Sequence, residues 1–199
     1  MTAIAGLILI ATSHVVAISQ TAHVHGEARG SIIIGESTAT VKITIPAMSV
    51  VGFEHRPTTP AQKQQVEAAK KAIKATDVLI FYTTSRWLKS PKKINATAIK
   101  FKAEFVVGSS NDIDDHDDAH DDHHERHDHK ADNEDQHADL VLSTEYSLES
   151  PIRAISSNIF SVFPEVHQLT LDIVSDHVQH QVTLSSHTQK GSIPNPKIN

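Results

Sequence analysis

Residues 108–138 hold almost nothing that could enter a core. Their apolar members are Ile113, Ala119, Ala131 and Ala138, among interleaved Asp, Glu and His. Burial cannot offset the ordering entropy of so polar a segment, so it is expected to be disordered without metal. Clean alternation stops before it and resumes after it. Ile99, Phe101, Ala103 and Phe105 form one apolar row; Leu140, Leu142, Thr144, Tyr146 and Leu148 form another. Two alternating strands around one polar excursion predict a hairpin with an oversized loop. Whatever this chain folds into must leave that loop outside.

The rest supplies short strands and two short helices. Residues 38–45 alternate with Val41, Ile43 and Ile45 inward, after a turn at Gly35-Glu36-Ser37. Before that turn, an extended strand puts His23, His25, Glu27 and Arg29 on one face and Val24, Ala28, Ile32 and Ile34 on the other. The pair reads as a β-hairpin ended by Pro46. Residues 50–57 read as irregular. Thr59 is an N-cap, with Pro60 at the first helical position and Gln62 completing a capping box. That helix runs to about residue 75, with Val66, Ala69 and Ile73 as its apolar stripe. Residues 77–82 form a short apolar run, and Trp87, Leu88 and Pro91 a connector. A second short helix is predicted from Pro151 through Ile152, Ile155, Ile159 and Phe163, stopped by Pro164. Leu169, Leu171 and Ile173 give a strand; Ser175-Asp176-His177 turns it into Val178, His180, Val182 and Leu184. The class is α+β, with a mostly antiparallel sheet, two short helices and a long disordered His/Asp-rich loop.

The first residues read as an export signal. Residues 3–11 are apolar, and Ala17-Ile18-Ser19 is a small-x-small cleavage pattern. The run is broken by Ser13-His14 and too short to span a membrane. It has no Lys or Arg before it, and the competing reading is a buried N-terminal helix or strand. The expected organisation is a signal peptide over 1–19, a single domain over 20–190 carrying the flexible loop 108–138, and a loose tail over 191–199. No membrane span remains after cleavage.

Charge narrows the partners. Residues 112–139 carry 13 Asp and Glu against Arg126 and Lys130, a local net of −11 within an overall −6. Such a stretch repels phosphate backbones and attracts cations, so nucleic acid is excluded as the main partner. Aromatic residues make up only 5% of the chain, too few for a base-stacking surface. The chain has no Cys, which excludes thiolate metal sites, iron–sulfur clusters and disulfides.

Histidine is the outlier, with 15 in 199 residues. His116, His120, His123, His124, His127, His129 and His137 fall within 22 residues, interleaved with carboxylates that include Asp117 and Asp121. Neutral imidazole ligates zinc and also suits copper, nickel and iron. Carboxylates add oxygen ligands, offset the dication's charge and orient ligating imidazoles. His116/His120, His120/His124 and His123/His127 share a face wherever the chain is locally helical. Many near-equivalent ligand sets predict several Zn²⁺ ions, moderate affinity and fast exchange. His23 and His25 make a second candidate site, and His55, preceded by Glu54, could join either. His167 and His180 read as core or core-edge histidines, and His177 as a turn residue.

There is no nucleophile elbow, HExxH helix, phosphate loop or dinucleotide fingerprint, so the chain is not expected to be an enzyme. Two other readings stay open. One is a nickel- or copper-binding detoxification or sensing module. The other is a metal-dependent hydrolase built on His23, His25 and His55.

The chain resembles the exported bacterial zinc-binding proteins typified by the zinc-regulated periplasmic protein ZrgA. The resemblance rests on His23-Val24-His25-Gly26, on residues 46–55 ending in Val51-Gly52-Phe53-Glu54-His55, and on Thr59-Pro60-Ala61-Gln62. The interior His/Asp loop, Thr144-Glu145-Tyr146-Ser147 and Val162-Phe163-Pro164 continue it in the same order. It implies a periplasmic protein that captures or buffers zinc and supports a zinc ABC importer, as an accessory to the importer's larger solute-binding component. It also implies a Cys pair near the two middle strands, where this chain has Ala96 and Ser150.

Overall fold

A computed structural model describes residues 24–84, 90–108 and 137–194. The chain turns at His25–Gly26 before any strand begins, with the Glu27 N–H donating to the Val24 carbonyl at 3.1 Å. Gly26 has φ +82°, a left-handed conformation that costs a side-chain-bearing residue far more than glycine. His25 therefore does not share a strand face with Glu27 and Arg29, and Val24 is exposed.

Strand β1 (Glu27–Ile34) and β2 (Thr38–Pro46) form the expected antiparallel hairpin. Ala39, Val41, Ile43 and Ile45 are all buried on one face of β2. One helical turn, α1 (Met48–Val51), opens the stretch that reads as irregular in sequence. Helix α2 (Pro60–Lys74) has the predicted capping box at Thr59 and Gln62, and it buries Val66, Ala69 and Ile73. Then come β3 (Leu79–Thr83), β4 (Lys92–Lys93), β5 (Ala96–Val107) and β6 (Ala138–Leu148). β5 and β6 pair antiparallel from Ala96↔Leu148 to Val107↔Ala138, the hairpin that the two alternations predict. The chain ends with β7 (Ala154–Ser157), α3 (Ile159–Val162), β8 (Gln168–Ser175), β9 (Gln179–Ser185) and β10 (Lys190–Ser192).

Six strands form one sheet in the order β5-β6-β2-β1-β8-β9, and four form a second, β10-β7-β3-β4. All pairings are antiparallel except β1 with β8, which run parallel from Glu27↔Gln168 to Ile34↔Ser175. One apolar cluster joins Ile32, Ile43, Leu142 and Leu171 of the large sheet to Phe81, Ile155 and Ile159, with Ile73 of α2. Phe81 meets Tyr146 edge-on, ring centroids 5.1 Å apart. Burial, and after it the charge of Asp77, push the Tyr146 hydroxyl above its ordinary range and hold it as a neutral phenol.

Two expectations fail at the C-terminal side. The helix predicted from Pro151 to Phe163 is instead β7 followed by the single turn α3. All four β7 residues are buried, so its sequence has no alternation to show, and Ile152, Ile155 and Ile159 fall by accident at helical spacing. Its serines are satisfied by the neighbouring β3 segment: the Ser157 hydroxyl donates to the Val78 carbonyl at 2.9 Å, and the Ser156 hydroxyl shares a hydrogen bond with the Tyr82 hydroxyl at 3.2 Å. The tail is ordered further than predicted, since Gly191 and Ser192 belong to β10 and Ile193 is buried. The helices number three among the described residues, not two.

Gly30 sits mid-strand in β1, between β2 and β8. A Cβ there would collide with the Lys42 carbonyl and press on Ile43 at 3.0 Å and Leu171 at 3.1 Å. Gly30→Ala is expected to cost about 1–3 kcal/mol, because backbone in a central strand cannot yield cheaply. Denaturant unfolding checks this; a variant within about 0.5 kcal/mol of the parent, the spread of an unremarkable surface change, would show that the strands can part.

Candidate metal-binding site

Three segments distant in sequence meet at one end of the large sheet. They are the turn before β1, the connection from α1 to α2, and the mouth of the β5–β6 hairpin. Backbone and buried groups fix the meeting. The Ala47 N–H donates to the Ala138 carbonyl at 2.9 Å, and the Gly108 N–H to the His137 carbonyl at 2.8 Å. The Gly26 N–H donates to the buried Ser49 hydroxyl at 2.9 Å. Phe53 is buried and lies 6.0 Å from Phe105 of β5, centroid to centroid. That contact pins the residue just before Glu54.

Glu54 is the centre of this arrangement. Its side chain is only 16% exposed, and each oxygen faces a histidine. His25 Nε2 lies 3.2 Å from Oε1. His137 Nδ1 donates to Oε2 at 3.3 Å. Both imidazoles are more than half exposed. No Lys or Arg among the described residues forms an ion pair with Glu54. Its charge is thus faced by two groups that are cationic only when protonated.

His55 is placed differently. It stacks on Phe53 at 5.1 Å, and its Nδ1 donates to the Arg56 carbonyl at 2.9 Å. A carbonyl can only accept, so the proton sits on Nδ1 and Nε2 receives the Gln62 amide at 3.4 Å. The other end of that amide accepts from the Thr58 and Thr59 N–H groups. His55 therefore ties this segment to the start of α2 and does not face Glu54.

Of the sequence candidates, the structure brings His25 and His137 together and sets His55 aside. His23, His116, Asp117, His120, Asp121, His123, His124, His127 and His129 lie outside the described residues. His167 is exposed in the approach to β8, not in the core, and its ring edge lies against Gly26. His180 is half-buried on the face of β9 that carries Val182 and Leu184, a core-edge position. Glu54 is the residue that sequence reasoning missed as a centre. The adjacent motifs pointed at the segment, but nothing local reveals that residues 25, 54 and 137 converge. Among the described residues, no group of three or more His, Asp or Glu already surrounds a metal position.

A groove of about 450 Å³ flanks the hairpin mouth, lined by Arg56, Lys63, Lys70, Phe105 and Val107 among others. It sets cations beside the point where the chain enters its most acidic stretch. No helix among the described residues is long and apolar enough to cross a membrane.

The family model of ZrgA family zinc uptake proteins matches residues 22–193. No curated protein matches the chain.

Proposed function

This chain belongs to the ZrgA family of zinc uptake proteins, and from that premise we propose that it is an exported, periplasmic zinc-binding accessory protein and not an enzyme. It collects or buffers Zn²⁺ and passes it to a zinc ABC importer. In this reading His116, His120, His123, His124, His127, His129 and His137, with Asp117 and Asp121, hold several zinc ions, and His23, His25 and His55 extend the donor set. One observation supports it most. The end of the His/Asp segment at His137 and the N-terminal motif at His25 meet on one carboxylate, Glu54. Donors that would be separate in sequence are thereby neighbours, as ligands drawn from separate elements of a metal site must be.

Hand-over needs weaker binding here than in the acceptor, and crowded, near-equivalent ligand sets exchange readily. The test is to incubate zinc-loaded protein with equimolar, metal-free solute-binding component of a zinc ABC importer from the same cell. The two are then separated and their metal measured. The expected result is net transfer of zinc to the solute-binding component. Zinc remaining wholly on this chain would sink the hand-over.

A further inference from the structure

We propose that the free edge of β5 is a self-pairing surface, on which two copies of this chain join β5 to β5 antiparallel about a two-fold axis at Ala103. β5 is an outermost strand of the large sheet. β6 pairs with one of its edges, and among the described residues no strand pairs with the other. Along its 12 residues that edge presents unpaired backbone N–H and C=O groups, a template for a further strand. Its inner row is also only partly covered. Phe101, Ala103, Phe105 and Val107 are half-buried, whereas the matching row of β6 is buried throughout.

The order of charges along β5 selects both the occupant and the register. Lysines on an edge strand ordinarily keep it single, because approaching copies bring like charges together. An axis at Lys102 opposes that ammonium to its own copy, and an axis at Glu104 does the same for the carboxylate. An axis at Phe101 opposes Lys100 to Lys102. With the axis at Ala103, Lys102 of each copy faces Glu104 of the other, twice by symmetry. Phe101 likewise faces Phe105 twice, and the small Ala103 meets itself. The β5–β6 register shifts between Ala98 and Lys100, so the regular stretch begins at Lys100, and Ala103 is the midpoint of residues 100–106. Lys102 and Glu104 already attract each other along the strand, at 2.8 Å. Directly opposite residues of paired strands stand closer than neighbours two apart on one strand, so the pairing strengthens across the axis.

Helix α2 leaves room for this approach. The groove of about 450 Å³ between α2 and β5 touches the strand only at Phe105 and Val107, so α2 flanks that end. The axis at Ala103 carries the second copy's α2 to the opposite end, clear of the first. Phe101 of the second copy, opposite Phe105, then covers the apolar part of the groove formed by Val66, Phe105 and Val107. One paired strand and one groove make a small interface, which places the dimer in the weak, exchanging class with Kd on the order of 10 μM.

The test is sedimentation velocity of the purified chain in a buffer with chelator, so that no metal bridges two copies. The parent, Lys102→Glu, Glu104→Lys and an equimolar mixture of the two variants are compared. Both side chains are about half exposed or more, so their replacement leaves the core alone, which denaturant unfolding verifies. The parent is expected to be monomeric at about 1 μM and mostly dimeric at about 100 μM. Lys102→Glu sets carboxylate against carboxylate in its own dimer, and Glu104→Lys sets ammonium against ammonium. Each variant alone should therefore dimerise about 10- to 100-fold more weakly. In the mixture every pair is opposite in charge again, and the dimer should return. The ion pair within each strand stays broken in that mixture, so a role confined to one chain predicts no recovery. A parent that stays monomeric at about 100 μM overturns the proposal. Variants that dimerise as the parent does overturn β5 as the interface. Loss in both variants without recovery on mixing overturns the pairing about Ala103.

Discussion

Replacing residues 112–136 with a short glycine-containing turn is expected to remove most of the zinc capacity and leave the fold intact. Six of the seven clustered histidines go with the replacement, and His137 stays. The strands on either side are complete without the segment. Val107 pairs with Ala138, Gly108 closes on His137, and Ala47 holds Ala138 from β2's end. A four- or five-residue loop spans antiparallel neighbours comfortably. Each halving of loop length returns about 0.6 kcal/mol of closure entropy, so the metal-free variant should gain about 1 kcal/mol of stability. Calorimetric titration and denaturant unfolding of parent and variant, side by side, check both halves. Several bound ions should fall to one at most. Undiminished capacity would move the reservoir away from the His/Asp segment. Loss of cooperative unfolding would show that the segment is structural.

The contrast between that segment and its flanks also explains what the sequence could reveal. β2 and β6 each bury one face, and β5 half-buries Phe101, Ala103 and Phe105, so their alternation marks them plainly; only Ile99 leaves the expected row, exposed where the β5–β6 register shifts between Ala98 and Lys100. α2 carries its own punctuation in Thr59, Pro60 and Gln62, and its buried stripe is the one its spacing predicts. β7 is different: buried on both faces and four residues long, it leaves no period to read. The parallel pairing of β1 with β8 joins Glu27 to Gln168, and no local signal encodes a partner so distant. The site divides the same way. Histidine density announces metal from composition alone. The convergence of His25 and His137 on Glu54 depends on a left-handed Gly26, a buried Phe53 and the register of β5 with β6. Those are tertiary facts, and Glu54 looks like any loop glutamate until they are known.

Acid should empty the protein of zinc. A histidine free in water takes its proton near pH 6.5, so its neutral fraction is about 0.9 at pH 7.5 and about 0.09 at pH 5.5. Zinc binds only the neutral ring. Each imidazole ligand therefore loses about tenfold between those two values, and the losses multiply. A site with two histidines should weaken about 100-fold, and one with three about 1000-fold. Carboxylate ligands stay ionised throughout this window, because a free Asp or Glu titrates near pH 4. The size of the fall thus counts the histidines around the ion. The sign is fixed: affinity is full above the imidazole range and is lost as pH falls through it. Chelator competition at pH 7.5 and 5.5, corrected for the chelator's own protonation, makes the measurement. Equal affinity at the two values would remove histidine from the ligand set and leave the carboxylates to hold the metal. A fall near 100-fold would count two histidines around the tightest ion, and a steeper fall would count more.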